Sequence, residues 1–382
     1  MFSKIVVLGA GYGGLAMAAD LSMAGYKVNL FDLPEFSKNL EPVIEKGGID
    51  VIARTPRGEE FQLPGGGKTG FAKITGKITS NIKEAIEGVD LIMVVVHGYK
   101  RERYIKEFAP YLQNGQTMII WFAYCGATRV VKILKDMNIN KKITICETDS
   151  LIYASKLIHP GGVVITGVKE KCLFASFPSK RSIEILKELN KIYPQVKPVK
   201  NILETSIANT SAQVHSCSTL LNLYRVERKF YPYFDSIGGP LCSNYDITPG
   251  MANVINEVDK ERINLGKGLG FELVNMKEQL KEWYGTQGKD LYETILNCYP
   301  YYMQSAPTSL QHQYIIDDVP FGLVPFISLG EKINVKMPIT RAIISLACAA
   351  TKKNFWSEGL TCEKLGLNNM TEQGITEYVE QS

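Results

Sequence analysis

Only four histidines occur in 382 residues, so few side chains here can move a proton near neutral pH. His215 stands in Asn209-Thr210-Ser211-Ala212-Gln213-Val214-His215, inside a helical pattern, where an imidazole suits general acid–base work. The same residue also reads as an ordinary histidine on an amphipathic helix. His97 follows the apolar run 91–96 at the carboxyl end of a strand, where open α/β sheets bind ligands, so it is a candidate for lining a cofactor site. His159 precedes Pro160 in a loop and His312 lies in Leu310-Gln311-His312-Gln313-Tyr314; neither setting points to chemistry. Asp317 and Asp318 sit inside an apolar stretch, 314–325, and a charge there must be paired if it is buried. A carboxylate that fixes a histidine's tautomer would satisfy that rule. So would a helix cap ahead of Val319-Pro320.

A second constellation lies at the start of the chain. Gly9-Ala10-Gly11-Tyr12-Gly13-Gly14 has the spacing GxGxxG, follows a β-branched run at 4–8 and opens a helical pattern over 12–24. Gly9 permits the tight turn, Gly11 lets a pyrophosphate approach the backbone, and Gly14 lets helix and strand pack closely. The helix N-terminus supplies amide donors and partial positive charge for phosphates. Asp32 ends the next strand, 27–31, where a carboxylate can accept ribose hydroxyls and repel a 2′-phosphate. This favours NAD, with NADP less favoured. The plainer alternative is a glycine turn in a doubly wound fold that binds nothing.

Elements must position these groups. Strand runs at 91–96, 117–121 and 142–146 alternate with helical stretches at 82–86, 99–112 and 127–137, which implies a mainly parallel sheet covered on both faces. Residues 46–76 read as an antiparallel insertion or hairpin, and 150–177 as short strands turning at Gly161-Gly162. Beyond about residue 200 the pattern is helical: 204–229 as one long helix, then 249–268, 273–284, 288–298 and 338–353. The expected fold is an α/β N-terminal Rossmann domain, residues 1–195, followed by an all-α C-terminal domain, residues 196–382. Arg101, Arg103 and Arg129 follow strands of the first domain and are placed either to touch cofactor phosphates or to lie on solvated helix faces.

Composition sets the outer limits. Lys plus Arg is 43 against 39 for Asp plus Glu, a net +4, which argues against a dedicated nucleic-acid binder. Apolar residues make up 45% and charged residues 21%, ordinary for a globular protein. No apolar run approaches the roughly 20 residues of a membrane span. None of the eight cysteines lies in CxxC spacing, and His215 with Cys217 makes only two ligands, so no metal site is expected. Scattered cysteines fit reduced thiols in a cytoplasm.

Taken together, the chain resembles the opine dehydrogenases, the octopine/nopaline dehydrogenase family, over nearly its full length. The likeness runs through Asp32-Leu-Pro-Glu-Phe36, Asn39-Leu-Glu-Pro42, Gly47-Gly-Ile49, Ile92-Met-Val-Val-Val96 and Glu147-Thr-Asp149. It continues through Asn209 with His215, Ile247-Thr-Pro249 with Asp259 and Glu261-Arg262, and Tyr314 to Pro325. The resemblance implies a Rossmann domain with a helical substrate domain of the 6-phosphogluconate dehydrogenase-like kind. It implies reductive condensation of an amino acid with a 2-oxo acid by a nicotinamide cofactor. It makes His215 the acid/base and pairs it with Asp318. Asn209, six residues before His215 and not quite two turns away, reads either as a substrate-binding residue pointing into the same cleft or as ordinary helix polarity. Gln313 stands where several members have an arginine for a substrate carboxylate, so Gln313 is expected to line the substrate site. His97 and Ser216 stand where proline is usual. The apolar helix 338–353 reads either as part of the core or as a homodimer contact. Two other readings stay open: a two-domain hydroxy-acid dehydrogenase, and a dinucleotide-binding sensor without turnover.

Overall fold

The β-branched runs become strands because both of their faces are buried. Ile5, Val6, Val7 and Leu8 in β1 (Lys4–Leu8) are all 0% exposed. The structure is a computed structural model in which residues 2–122, 124–227, 246–302 and 306–380 are described. After β1 come α1 (Tyr12–Met23), β2 (Lys27–Phe31), β3 (Gly48–Ala53), β4 (Gly70–Lys73), β5 (Ile78–Thr79) and β6 (Leu91–Val94). Next are α2 (Gly98–Phe108), β7 (Thr117–Ile120), α3 (Gly126–Asp136), β8 (Thr144–Thr148), β9 (Tyr153–His159), β10 (Gly162–Val168), β11 (Cys172–Phe177) and β12 (Val196–Pro198). One eight-stranded sheet runs β12-β11-β8-β7-β6-β1-β2-β5, parallel except where β11 meets β8. This is the mainly parallel, doubly covered sheet that the alternation predicts.

The expected insertion is larger than a hairpin. β3 and β4 pair antiparallel, but β3 also pairs in parallel with β10, which pairs antiparallel with β9. Segments about a hundred residues apart in sequence thus form one four-stranded sheet, β4-β3-β10-β9.

Two compact units divide the chain, Met1–Ser206 with Glu377–Ser382, and Ile207–Thr376. The expected division at 195 falls short for a physical reason: β12 hydrogen-bonds to β11 and belongs to the first sheet. The chain's end also returns to the first unit. Ser179 Oγ donates to the Glu380 carbonyl at 2.6 Å, and the Tyr378 ring lies 5.3 Å from that of Phe177.

The second unit, among its described residues, is helical. Its elements include α4 (Ile202–Ala208, beginning in the first unit), α5 (Ser211–Leu221), α6 (Pro249–Gly268), α7 (Met276–Tyr284), α8 (Leu291–Asn297), α9 (Gln313–Ile316), α10 (Val324–Lys332) and α11 (Pro338–Thr351). The single long helix expected over 204–229 is broken twice, and residues 228 and 229 lie outside the described residues. At the first break Asn209 Oδ1 accepts from Ser211 N at 2.9 Å, an Asn capping its own chain two residues on. Gln279 of α7 fills the gap, with Nε2 donating to the Ala208 carbonyl at 2.8 Å and Oε1 accepting from Thr210 Oγ1 at 2.5 Å. The second break is at Asn222, whose amide donates to the Asp246 carbonyl at 3.1 Å.

Arg262 of α6 braces this arrangement. It is 1% exposed, pairs with Asp259 at 2.8 Å, and donates to the carbonyls of Ile207 at 3.1 Å and Val274 at 2.7 Å. Asp259 in turn accepts from Met276 N at 2.8 Å, so one buried pair ties together the ends of α4, α6 and α7. Glu261, its neighbour, accepts from Ile339 N and Thr340 N, both at 2.8 Å, and fixes the start of α11. No helix of the described residues is long and apolar enough to cross a membrane.

Candidate active site

His215 lies at the middle of α5, with Nδ1 2.8 Å from Asp318 Oδ2. The His215 side chain is 25% exposed and that of Asp318 only 3%. Of the two adjacent acids it is therefore Asp318, not Asp317, that meets the histidine. Asp318 opens a π-helical turn, Asp318–Leu323. Pro320 has no N–H to give the Ile316 carbonyl, so the ladder slips there, and such widened turns often carry functional side chains. An ionised carboxylate accepts the Nδ1 proton and leaves Nε2 as the exchanging atom.

Tyr314 covers the ring. Its plane is stacked on the imidazole with centroids 3.7 Å apart and 10° between planes. His312 packs edge-on against Tyr314 at 4.6 Å, and its Nδ1 accepts from Tyr314 N, capping α9. Ser216 Oγ donates to the Tyr314 carbonyl at 3.3 Å, so the residue in the position where proline is usual helps hold α5 to α9. Tyr314 was not singled out from the sequence, although its spacing of four from Asp318 places both on one helical face.

His215 and Tyr314 line a pocket enclosing about 880 Å3, part of it open to solvent. Thr210, Ser211, Ser218 and Thr219 of the α5 region contribute polar groups, and Trp283 of α7 closes one side. Asn209 and Gln213 are both fully buried. Asn209 Nδ2 and both Gln213 amide atoms have no hydrogen-bond partner among the described residues. A buried amide left this way costs about 1–3 kcal/mol unless something else pairs with it. Gln313 begins α9, one residue before Tyr314, and is not among the residues lining this pocket.

The glycine turn of the first unit has the shape a dinucleotide needs. Gly9 has φ +100°, and a Cβ on Gly14 would lie 1.7 Å from the Gly9 carbonyl oxygen. No side chain caps α1, which starts at Tyr12, and its first turn holds no acid. In front of Gly11 no heavy atom lies within 4 Å of where a Cβ would stand. These residues fit a pyrophosphate held against the helix N-terminus. His97 precedes α2 directly after the β6 edge, its ring stacked at 5.9 Å on Tyr99.

Asp32 is more engaged than its sequence position suggests. It is 2% exposed. Its oxygens accept from Ala10 N at 3.0 Å, Leu33 N at 2.9 Å, Asn39 Nδ2 at 3.0 Å and the Tyr104 hydroxyl. Four donors fill a carboxylate's acceptor sites. A ribose hydroxyl reaches this carboxylate only by displacing Asn39 or Tyr104. The three arginines have other partners too. Arg101 is buried and donates to the Phe122 carbonyl at 3.2 Å, Arg103 pairs with Glu107 at 3.2 Å, and Arg129 with Glu102 at 2.6 Å.

A Rossmann-type nucleotide unit followed by a helical unit bearing a paired histidine defines a two-domain dinucleotide-dependent dehydrogenase. Residues 198–351 match the family described as NAD/NADP octopine/nopaline dehydrogenase, alpha-helical domain. The chain is 32% identical over 377 residues to an opine dehydrogenase of Arthrobacter sp. (strain 1C), covering 98% of each. Octopine dehydrogenase in complex with NADH and agmatine shares the fold with a TM-score of 0.77 at 18% identity, over 100% of this chain and 98% of that one. NADP+-bound yersinopine dehydrogenase gives a TM-score of 0.68 at 16% identity, over 100% and 98%. The chain belongs to the opine dehydrogenase family.

Proposed function

We propose that the chain is an NAD-dependent opine dehydrogenase. The amine of an amino acid adds to the carbonyl of a 2-oxo acid, water leaves, and the resulting imine is reduced to a secondary amine. The bound nicotinamide supplies the hydride that this reduction consumes. His215 manages the protons. Its Nε2 takes one from the substrate ammonium, which frees the amine to attack, and returns one to the carbinolamine hydroxyl, which departs as water, while Asp318 holds the ring and balances the imidazolium charge. Tyr314 keeps the ring in plane against its own face, and Asn209, with an unmatched buried amide, orients substrate. Gly9 to Gly14, with Ala10 and Tyr12, hold the pyrophosphate, and His97 lines the nucleotide side. Asp32 selects NAD over NADP through its buried charge and by fixing the Ala10 amide. Cys146, Cys172, Cys217, Cys348 and Cys362 carry free thiols, which supports a reducing, cytoplasmic setting.

The 2.8 Å contact between His215 and Asp318 carries this reading. His215→Ala should lose about 10²–10⁴-fold in kcat, the usual contribution of a general acid/base, while its Kd for NADH stays within twofold. Asp318→Asn keeps the shape and should lose a large part of the same factor. A His215→Ala rate within threefold of the parent would move the proton chemistry to another residue.

A further inference from the structure

Hydrocarbon makes up most of the pocket wall beside His215. Met276, Leu280 and Trp283 fall at i, i+4 and i+7 of α7 and present one face to it, and Val214, Ile247 and Ile295 add to that apolar surface. These α7 side chains are 2%, 4% and 4% exposed, so they are fixed by packing rather than free to swing away. Asp246 is the one carboxylate among the described lining residues, and it is already paired with Arg225. A guanidinium or carboxylate entering this space would shed water and meet mostly apolar surface among the described lining residues, with neutral groups such as the hydroxyls of Thr210, Ser211, Ser218 and Thr219, and no unpaired opposite charge, to offset the loss.

The geometry points to a subsite for an uncharged, apolar amino-acid side chain, so that the amine substrate is an aliphatic or aromatic amino acid. This rests on the opine dehydrogenase reading, because that reading places the amine nitrogen at His215. The side chain on the carbon bearing that nitrogen then enters the space that His215 borders. A small 2-oxo acid such as pyruvate brings only a methyl group, which covers little of the apolar face that Met276, Leu280 and Trp283 present. The amino acid is the partner whose size and polarity the wall reads.

Initial rates of NADH oxidation test this directly. Pyruvate is combined in turn with L-leucine, L-methionine, L-phenylalanine, L-arginine and L-glutamate. The swapped pair, L-alanine with 4-methyl-2-oxopentanoate, carries the same hydrocarbon on the other reactant. At least one of the three apolar amino acids should exceed arginine and glutamate by about 100-fold or more in kcat/KM, the scale on which a burial site rejects an unmatched polar group. Leucine with pyruvate should also outrun the swapped pair. Leu280→Asp should lower the leucine value at least tenfold. Should that variant fail to fold, Leu280→Ala, which only enlarges the pocket, should shift preference from leucine toward phenylalanine. Arginine turned over as efficiently as leucine would overturn the subsite while leaving the opine reading intact, and so would an equal rate for the swapped pair. No turnover with any pair would remove the opine reading and the subsite with it.

Discussion

A single histidine becomes a catalyst here through two neighbours, and they differ in how visible they were. Asp318 was one of two adjacent acids, and from the residues alone a helix cap was as good an explanation. Only the resemblance to the family chose it, and only the geometry shows why: the π-helical turn aims it at His215 Nδ1. Tyr314 was hidden because stacking needs the two ring planes, and spacing alone does not give these. At Asp32 the acid was legible but its occupation was not. Asn39 is 7 residues away and Tyr104 is 72, and pairwise contacts at such separations leave no local trace. Asp32→Asn replaces two acceptor oxygens by one and puts an amide against backbone donors. It should therefore lower thermal stability and, by removing the charge, bring the NADPH and NADH dissociation constants to within about threefold of each other. Fluorescence titration with both nucleotides reads this. A parent protein that binds NADPH tenfold more tightly than NADH would contradict the role given to Asp32.

At the scale of elements, the breaks in the helices carry the site. A propensity argument sees no reason to interrupt 204–229, because the interruption is stabilised by Gln279, 69 residues from Thr210. The junction at the carboxyl end of β8 is similar. Glu147 is fully buried and accepts from Ala127 N at 2.7 Å, at the start of α3, and from the Ser206 hydroxyl of α4. Burial outweighs these bonds and pushes its carboxyl up to about 7 from an ordinary 4.5. The folded value lies above the unfolded one, so the stability that this group contributes is fully present below about pH 4.5 and is lost as pH rises through 7. At pH 8 the loss is on the order of 3 kcal/mol. Glu147→Gln does not ionise and should flatten this part of the fall, so that the difference in Tm between pH 6 and pH 8 shrinks relative to the parent. An unchanged difference, followed by calorimetry, would mean that Glu147 stays neutral or is better compensated than its burial implies.

For the whole molecule, the alternation of strand and helix was readable because a sheet covered on both faces demands uninterrupted apolar runs, and Leu91–Val94 is such a run. The four-stranded sheet was not readable, since β3 and β10 pair across more than a hundred residues and their runs carry no mark of each other. The change to helix near residue 200 was plain, yet the expected boundary fell early, because β12, only three residues long, left no clear strand pattern after 195. The return of Glu377–Ser382 to the first unit left no signal in composition. What an opine dehydrogenase must do is transfer hydride to an imine carbon that exists only after an amine and a 2-oxo acid have condensed. The most direct test is therefore the initial rate of NADH oxidation with the amino acid alone, the 2-oxo acid alone, and both. The predicted result is oxidation only when both are present, with the product a secondary amine by mass. Oxidation at the same rate with the 2-oxo acid alone would contradict it and make the chain a hydroxy-acid dehydrogenase.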